Sequence, residues 1–497
     1  MKEEADSYGH VLKYTGVFGG VQGLNIVVNL VRNKLVSIIL GPEGMGLVSL
    51  FNSTVNFISQ TTNMGLSASA IKHISEVFDS GDEKRIAHFV KVVRLWSLLV
   101  ALLGMVVCII AGPLLSNYTF SWGDHTLHFI LLSPAVGLLA ITLGETAILK
   151  AARALRALAV VQIYTVMAAL LISVPIYKIL GQTGIVPVIV LLALVSMLLT
   201  VRYSYRIVPL ELKGAHGLLG EGMGMVRLGL SFMLAGIMGS GAEMLIRSYL
   251  NVNGSLEEVG LYSAGFMLTI TYASIVFSSM ESDYFPRISA ISGNNQALCL
   301  SVNRQIEVSL LIVAPMLAGL IVTLPVLVPL LLTSKFLPMV PMAQVAVFSM
   351  YIKSVSLPIS YLTLAKGDSV AYMTLEAIYD LVMVAAVLLG YTWGGLFGIG
   401  VGLSVSYLVD VLIVYFYTHR YYDYTMSSSV MKYAAIQLSL GGAAYLTTYI
   451  GSPVLYWLLG MSACAASLII SVYILHQKTS LWTALTEKLT SKFRRHG

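Results

Sequence analysis

VRNKLVSIILGPEGMGLVSLF at 31–51 and IRSYLNVNGSLEEVGLYSAGF at 246–266 decide the fold. With one residue of slack they align in order: Arg32 with Arg247, then a leucine, then a Gly/Pro/Asn turn. Gly46-Leu-x-Ser49 follows in one copy and Gly260-Leu-x-Ser263 in the other. The same offset, roughly 215 residues, relates AIKHISEVFDSG at 70–81 to FPRISAISGNN at 285–295, with Lys72 and Arg287 at the same step. The chain therefore holds two related halves, and each carries a cation inside an apolar stretch.

Composition places those stretches in a membrane. The 497 residues are 57% hydrophobic and 11% charged, with a mean hydropathy of +0.83. Soluble domains carry about 25% charged residues, so this composition reads as an integral membrane protein. The apolar runs are continuous rather than alternating, which excludes an outer-membrane barrel. At about 20 residues per helical span, the chain divides into about 14 spans with short loops. The division starts with segments 14–40 and 44–71 and ends with 431–450 and 452–476. The opening residues MKEEADSYGH lack a basic region and a cleavage site, so the first span is expected to stay in the mature protein. Cys108, Cys299 and Cys464 show no CxxC spacing and imply no disulfide framework.

Basic residues gather in alternate loops, which orients the spans. One side receives Lys84, Arg85, Lys91 and Arg94, then Lys150, Arg153 and Arg156, then the stretch 202–227, and finally the tail after Lys478. The other side is nearly free of Lys and Arg. Both termini are therefore expected on the cytoplasmic side of the membrane. The net charge of +6 reflects orientation and attraction to lipid headgroups, with no basic stripe suited to nucleic acid. The expected fold is an all-α polytopic membrane protein with two six-helix bundles, 1–201 and 228–418, related by a parallel pseudo-twofold repeat. A cytoplasmic linker at 202–227 joins them. A further helix pair at 431–476 and a basic tail at 477–497 complete the chain. Parallel repeats of this kind let two bundles rock about a site between them.

A charge at mid-bilayer costs about 2.5–3.5 kcal/mol on insertion scales, so each one asks for a reason. On the first helix Gln22, Asn25, Asn29 and Asn33 recur at spacings of three and four, within about 80° of one face. Arg32 lies at the edge of that face and Lys34 points away from it. For Lys34, snorkelling to the interface is the competing reading. Glu243 precedes Arg247 by one turn, which suits either mutual neutralisation or competition with an anionic substrate. Lys353, and Glu376 with Asp380 one turn apart, lie in neighbouring spans of the second half. The paired carboxylates suit a proton or Na⁺ site or simple charge pairing with Lys353, while Lys353, Lys34, Arg32, Arg247 and the face of Asn25, Asn29 and Asn33 are the expected substrate-binding residues. Lone carboxylates at Glu145 and Asp410 are expected to reach the interface. His125-x-x-His128 has metal-like spacing without accompanying ligands, and no GxxxxGK[ST] loop is present. Neither a metal nor another cofactor is called for, and a transporter rather than an enzyme is expected.

The runs NKLVSIILGPEGMGLVSLFNSTVNFISQTTNMGLSASAIKHISE at 33–76, DYFPRIS at 283–289 and YLTLAKGDSVAYMTLEAIYDL at 361–381 resemble a known family. They are similar to the Wzx-type flippases, the polysaccharide and oligosaccharide flippases of the multidrug/oligosaccharidyl-lipid/polysaccharide exporter superfamily. The resemblance implies a V-shaped pair of bundles that work by alternating access. It further implies an undecaprenyl-diphosphate-linked oligosaccharide as substrate, for O-antigen or related surface polysaccharide synthesis, with a polymerase and glycosyltransferases as partners. Arg32 and Arg247 match the diphosphate-binding arginines of related lipid II flippases, and Lys353 and Glu376 match charged residues of the antigen flippases. A lipid II flippase and a multidrug/cation antiporter on the same fold are the alternatives.

Overall fold

A computed structural model describes residues 2–79, 81–120, 123–209, 218–271, 273, 277 and 284–478, with side chains from residue 23 onward at most of them. The Gln22 and Lys72 side chains, the middle of the linker at 210–217, parts of the expected span 259–284, and the tail beyond Lys478 lie outside the described residues. All regular structure among the described residues is helical, as an apolar chain in lipid must satisfy its own backbone N–H and C=O groups.

The helices are α1 (Lys2–Thr62), α2 (Leu66–Asp79), α3 (Glu83–Thr119), α4 (Thr126–Ala151), α5 (Leu155–Leu180), α6 (Ile185–Ile207), α7 (Leu218–Asn253) and α8 (Leu256–Phe266). They continue as α9 (Asn295–Leu331), α10 (Val340–Ala365), α11 (Ser369–Tyr422), α12 (Ser428–Leu446) and α13 (Pro453–Lys478). Among the described residues, 8 helical runs are long and apolar enough to cross a membrane. Several of these runs contain two of the expected spans. α1 turns at Gly41, whose φ of 66° is a left-handed conformation that a side chain resists. α11 breaks at Gly394 and Gly395, and its two limbs fold back on each other. A Cβ on Gly390 would fall 2.1 Å from the Gly398 carbonyl oxygen, and one on Gly402 would fall 2.3 Å from that of Ala386.

The chain divides into two compact units: residues 1–263 with 329–336, and residues 264–328 with 337–497. In the first unit α7 packs along α1, α2 and α3, which draws the start of the second repeat into that unit. A core of Leu66, Ile74, Val93, Trp96 and Ile148 joins α2, α3 and α4. In the second unit α10 packs on α11, and Ile306, Ile359, Leu375, Val414 and Tyr424 form a shared core.

Glu145 departs from its expected place. Glu145 is buried, not at the interface, and Arg94 is not a loop cation. Arg94 Nε donates to Glu145 Oε1 at 2.9 Å, with the two residues 7% and 3% exposed. Arg94 also donates to the Val208 carbonyl at 2.9 Å and lies 4.1 Å over the Tyr205 ring. These contacts tie α3 and α4 to the end of α6. A buried charge persists only when paired and hydrogen-bonded in this way.

Candidate functional site

The two copies of the Gly-Leu-x-Ser motif meet inside the first unit. Ser49 Oγ and Ser263 Oγ are hydrogen-bonded at 2.7 Å across a separation of 214 residues. A Cβ on Gly46 would fall 2.1 Å from the Leu256 carbonyl oxygen, and one on Gly260 would fall 1.9 Å from that of Pro42. Each contact maps onto the other when the copies are exchanged. The motif is therefore a self-complementary contact about a local two-fold axis, of the kind expected of isologous interfaces. Glycine is required at both places because backbone meets backbone.

The paired arginines do not share this symmetry. Arg247 is 9% exposed. It donates from Nε to Ser49 Oγ at 2.8 Å, and from Nη1 to the Glu243 carboxylate at 3.0 Å and its carbonyl at 3.1 Å. Its guanidinium lies 5.8 Å over the Tyr262 ring. Arg247 thus reaches across the axis and is neutralised by Glu243. Arg32 reaches the other way, donating from Nε to Ser173 Oγ of α5 at 3.0 Å. It lines a cavity of about 280 Å³ with Asn52, Asn56, Tyr177 and Ser196. No carboxylate is among the lining residues. Asn52 and Asn56 lie four apart beyond the Gly41 turn, the same spacing that singled out Asn25, Asn29 and Asn33, so the signal was available in the sequence.

Asn25, Asn29 and Asn33 do not line this cavity. Asn25 is 5% exposed, and neither its side-chain nitrogen nor its oxygen has a hydrogen-bond partner. Leaving such a group unsatisfied costs about 1–3 kcal/mol. Asn29 and Asn33 are half-buried. Lys34 turns to the end of α9, where Nζ donates to the Pro329 carbonyl at 2.7 Å and to that of Leu332. A cation on the last carbonyls of a helix is a favourable cap, so Lys34 is occupied structurally rather than pointing into a cavity.

In the second unit, Glu376, Asp380 and Asp410 from the two limbs of α11 come together with Lys353 of α10 and interact electrostatically. Tyr372 donates to Glu376, and Ser356 donates to Asp410. Lys353 Nζ also sits 5.8 Å from the Phe277 ring centroid and 6.0 Å from that of Tyr407. Asp410 was read from the sequence as an interfacial carboxylate. The hairpin at Gly394–Gly395 is what brings it beside Glu376. His125 and His128 have ring centroids 5.0 Å apart and pack against Phe120 and Phe51 respectively.

The polysaccharide biosynthesis protein family matches residues 35–341, more than half of the chain. No curated protein sequence matches it. Among solved structures, the lipid II flippase MurJ in an inward closed conformation is similar with a TM-score of 0.68 at 14% identity, covering 93% of this chain and 99% of that one. An inward-facing multidrug resistance MATE family transporter of the MOP superfamily is similar with a TM-score of 0.67 at 15% identity, covering 82% and 96%. A MOP superfamily transporter from Pyrococcus furiosus, described as having a binding pocket of reverse polarity, gives 0.58 at 14% identity, covering 83% and 96%. The chain accordingly belongs to the polysaccharide biosynthesis protein family and is a multi-pass membrane protein with the fold of the MOP superfamily transporters.

Proposed function

We propose that the protein flips an undecaprenyl-diphosphate-linked oligosaccharide from the cytoplasmic to the periplasmic leaflet of the bacterial inner membrane. The glycan would serve O-antigen, capsule or another surface polysaccharide, with a polymerase and glycosyltransferases acting before and after it. The observation that carries this reading is the cavity at Arg32. It joins one guanidinium to two amides, a serine and a tyrosine, with no carboxylate in the lining. A guanidinium suits a diphosphate through charge-assisted, bidentate bonds, and amides suit sugar hydroxyls. A cation antiporter would want the opposite charge in this place.

Arg247, held by Glu243 and Ser49, supports alternating access instead. Its contacts and the Gly46–Gly260 crossing lie at the end that loop charges assign to the periplasm. Closure there would seal the cavity on that side, and outward opening would separate the two motifs. The carboxylates at Glu376, Asp380 and Asp410 offer a place for a coupling proton or Na⁺, with Lys353 as a resident counter-charge. Inside-negative potential favours outward movement of the anionic head, worth about 2.3 kcal/mol per charge per 100 mV.

In a deletion strain complemented at wild-type protein level, Arg32→Ala is expected to lower surface glycan by about 10- to 100-fold and leave lipid-linked oligosaccharide on the cytoplasmic leaflet. Full display with Arg32→Ala would sink the diphosphate assignment.

A further inference from the structure

A cavity of the second unit lies away from the charged cluster of α10 and α11. It has a volume of about 970 Å³ and opens between the first turns of α9, the α11–α12 connection and the end of α13. Its construction follows from how α13 meets α9. Near one end the helices touch: a Cβ on Gly460 would fall 2.9 Å from Val322, and the Tyr456 hydroxyl donates to the Val322 carbonyl. Toward the other end they diverge, and Lys478 Nζ bridges to the Glu307 carboxylate at 2.6 Å. The cavity occupies the wedge, along α9 from Asn295 to Leu311, a run of about 24 Å at helical rise.

Asn303 holds the floor. Its amide nitrogen donates to the Thr425 carbonyl at 2.9 Å, while its oxygen accepts from the Ser427 N–H at 2.9 Å and from the Tyr424 hydroxyl at 3.2 Å. Its polar atoms are thus satisfied within the protein, and it shapes the cavity without being available to a ligand. The charges around it are a different matter. Glu307 and Lys478 answer each other. Arg304 and Asp423, both exposed, line the same cavity and have no ion pair or hydrogen bond of their side chains among the described residues. One unneutralised cation and one unneutralised anion remain at the mouth of a wedge whose deeper wall, at Val308 and Leu311, is apolar.

We propose that this wedge binds a phospholipid whose headgroup carries both a phosphate and a primary ammonium, as phosphatidylethanolamine does. The phosphate sits at Arg304, the ammonium at Asp423, and the first part of an acyl chain runs along Val308 and Leu311. Charge complementarity selects this occupant. A purely anionic head would leave Asp423 opposed by a like charge, whereas a zwitterion answers both signs. Loop charges put this mouth at the cytoplasmic leaflet, where the polar-to-apolar gradient along α9 matches the depth profile of a lipid. The helix pair α12–α13 thereby acquires a role, since without α13 the wedge has one wall fewer. This site is independent of the substrate assignment at Arg32.

Native mass spectrometry of full-length protein, released from nanodiscs containing equal phosphatidylethanolamine, phosphatidylglycerol and phosphatidylcholine, tests the proposal. Wild-type protein is expected to retain phosphatidylethanolamine at least several-fold over the other two. Arg304→Gln and Asp423→Asn are each expected to remove that preference. Neither disturbs the fold, because Arg304 is exposed and unpaired, and asparagine tolerates the left-handed backbone of residue 423 (φ 56°). Preference for phosphatidylglycerol, equal retention of all three, or retention of undecaprenyl phosphate in their place would overturn it. So would loss of preference in Arg304→Gln alone, which would reduce the site to phosphate recognition.

Discussion

Arg32 and Arg247 occupy the same place in two copies of one sequence, yet the fold uses them for different work. Arg247 crosses the local axis to Ser49 of the other copy and is neutralised by Glu243 one turn away. Among the described residues Arg32 has no carboxylate partner, and it faces a small polar cavity beside Ser173. A repeated cation is therefore not evidence of a repeated function. Duplication supplied the residue twice, and the neighbours it met in each copy set what it does.

The difference can be broken from either side. The largest effect is expected from a Ser49→Cys/Ser263→Cys pair in a background lacking the three native cysteines. Oxidation should lock the crossing and stop transport completely, with reductant restoring it. Transport that continues in a fully cross-linked sample would remove this contact from the access cycle. Next comes Arg32→Ala, expected to lower glycan display by about 10- to 100-fold, the value of a charged hydrogen bond of ~1.5–3 kcal/mol. Arg247→Ala at equal protein level should cost less transport. The reverse ranking would dissolve the distinction between the two residues.

Gly260→Val and Gly46→Val push a side chain into backbone and should destabilise the first unit by about 1–3 kcal/mol, read as a lower melting temperature in detergent. For the Arg247–Glu243 pair, a double-mutant cycle with Arg247→Met and Glu243→Gln should give a coupling of only about 1 kcal/mol or less. The Glu243 side chain is 44% exposed, and solvent weakens the pair. The smallest change is expected for Lys34→Met, which removes a helix cap worth about 0.3–1 kcal/mol while leaving transport intact. A transport defect at full stability in that variant would return Lys34 to the cavity.

Much of this molecule was legible before any coordinates. Continuous apolar runs and alternating loop charge are local signals, and lipid leaves a helix as the one outcome for such a run. The repeat was equally plain, down to the turn that places Gly46 against Gly260. Asn52 and Asn56 carry the same four-residue spacing on the limb after Gly41, so they are legible in the sequence. Asp410 was not legible in that way. Its approach to Glu376 needs the return of α11 at Gly394–Gly395, and thirty-four residues of separation carry no periodic trace of it. Glu145 looked solitary for the same reason, its partner Arg94 lying 51 residues earlier on another helix.

By itself, then, the sequence determined that the chain is helical, spans a membrane and contains two related halves. Those properties depend on residues close in the chain and on a solvent that punishes unpaired backbone. The tertiary structure alone decided which buried charges are paired with one another and which face space. It brought Ser49 to Arg247, and among the described residues it left Arg32 without an acid and Arg304 and Asp423 unanswered in one wedge. Coulomb energy depends on distance and surroundings, and residues far apart in the chain acquire both only when it folds.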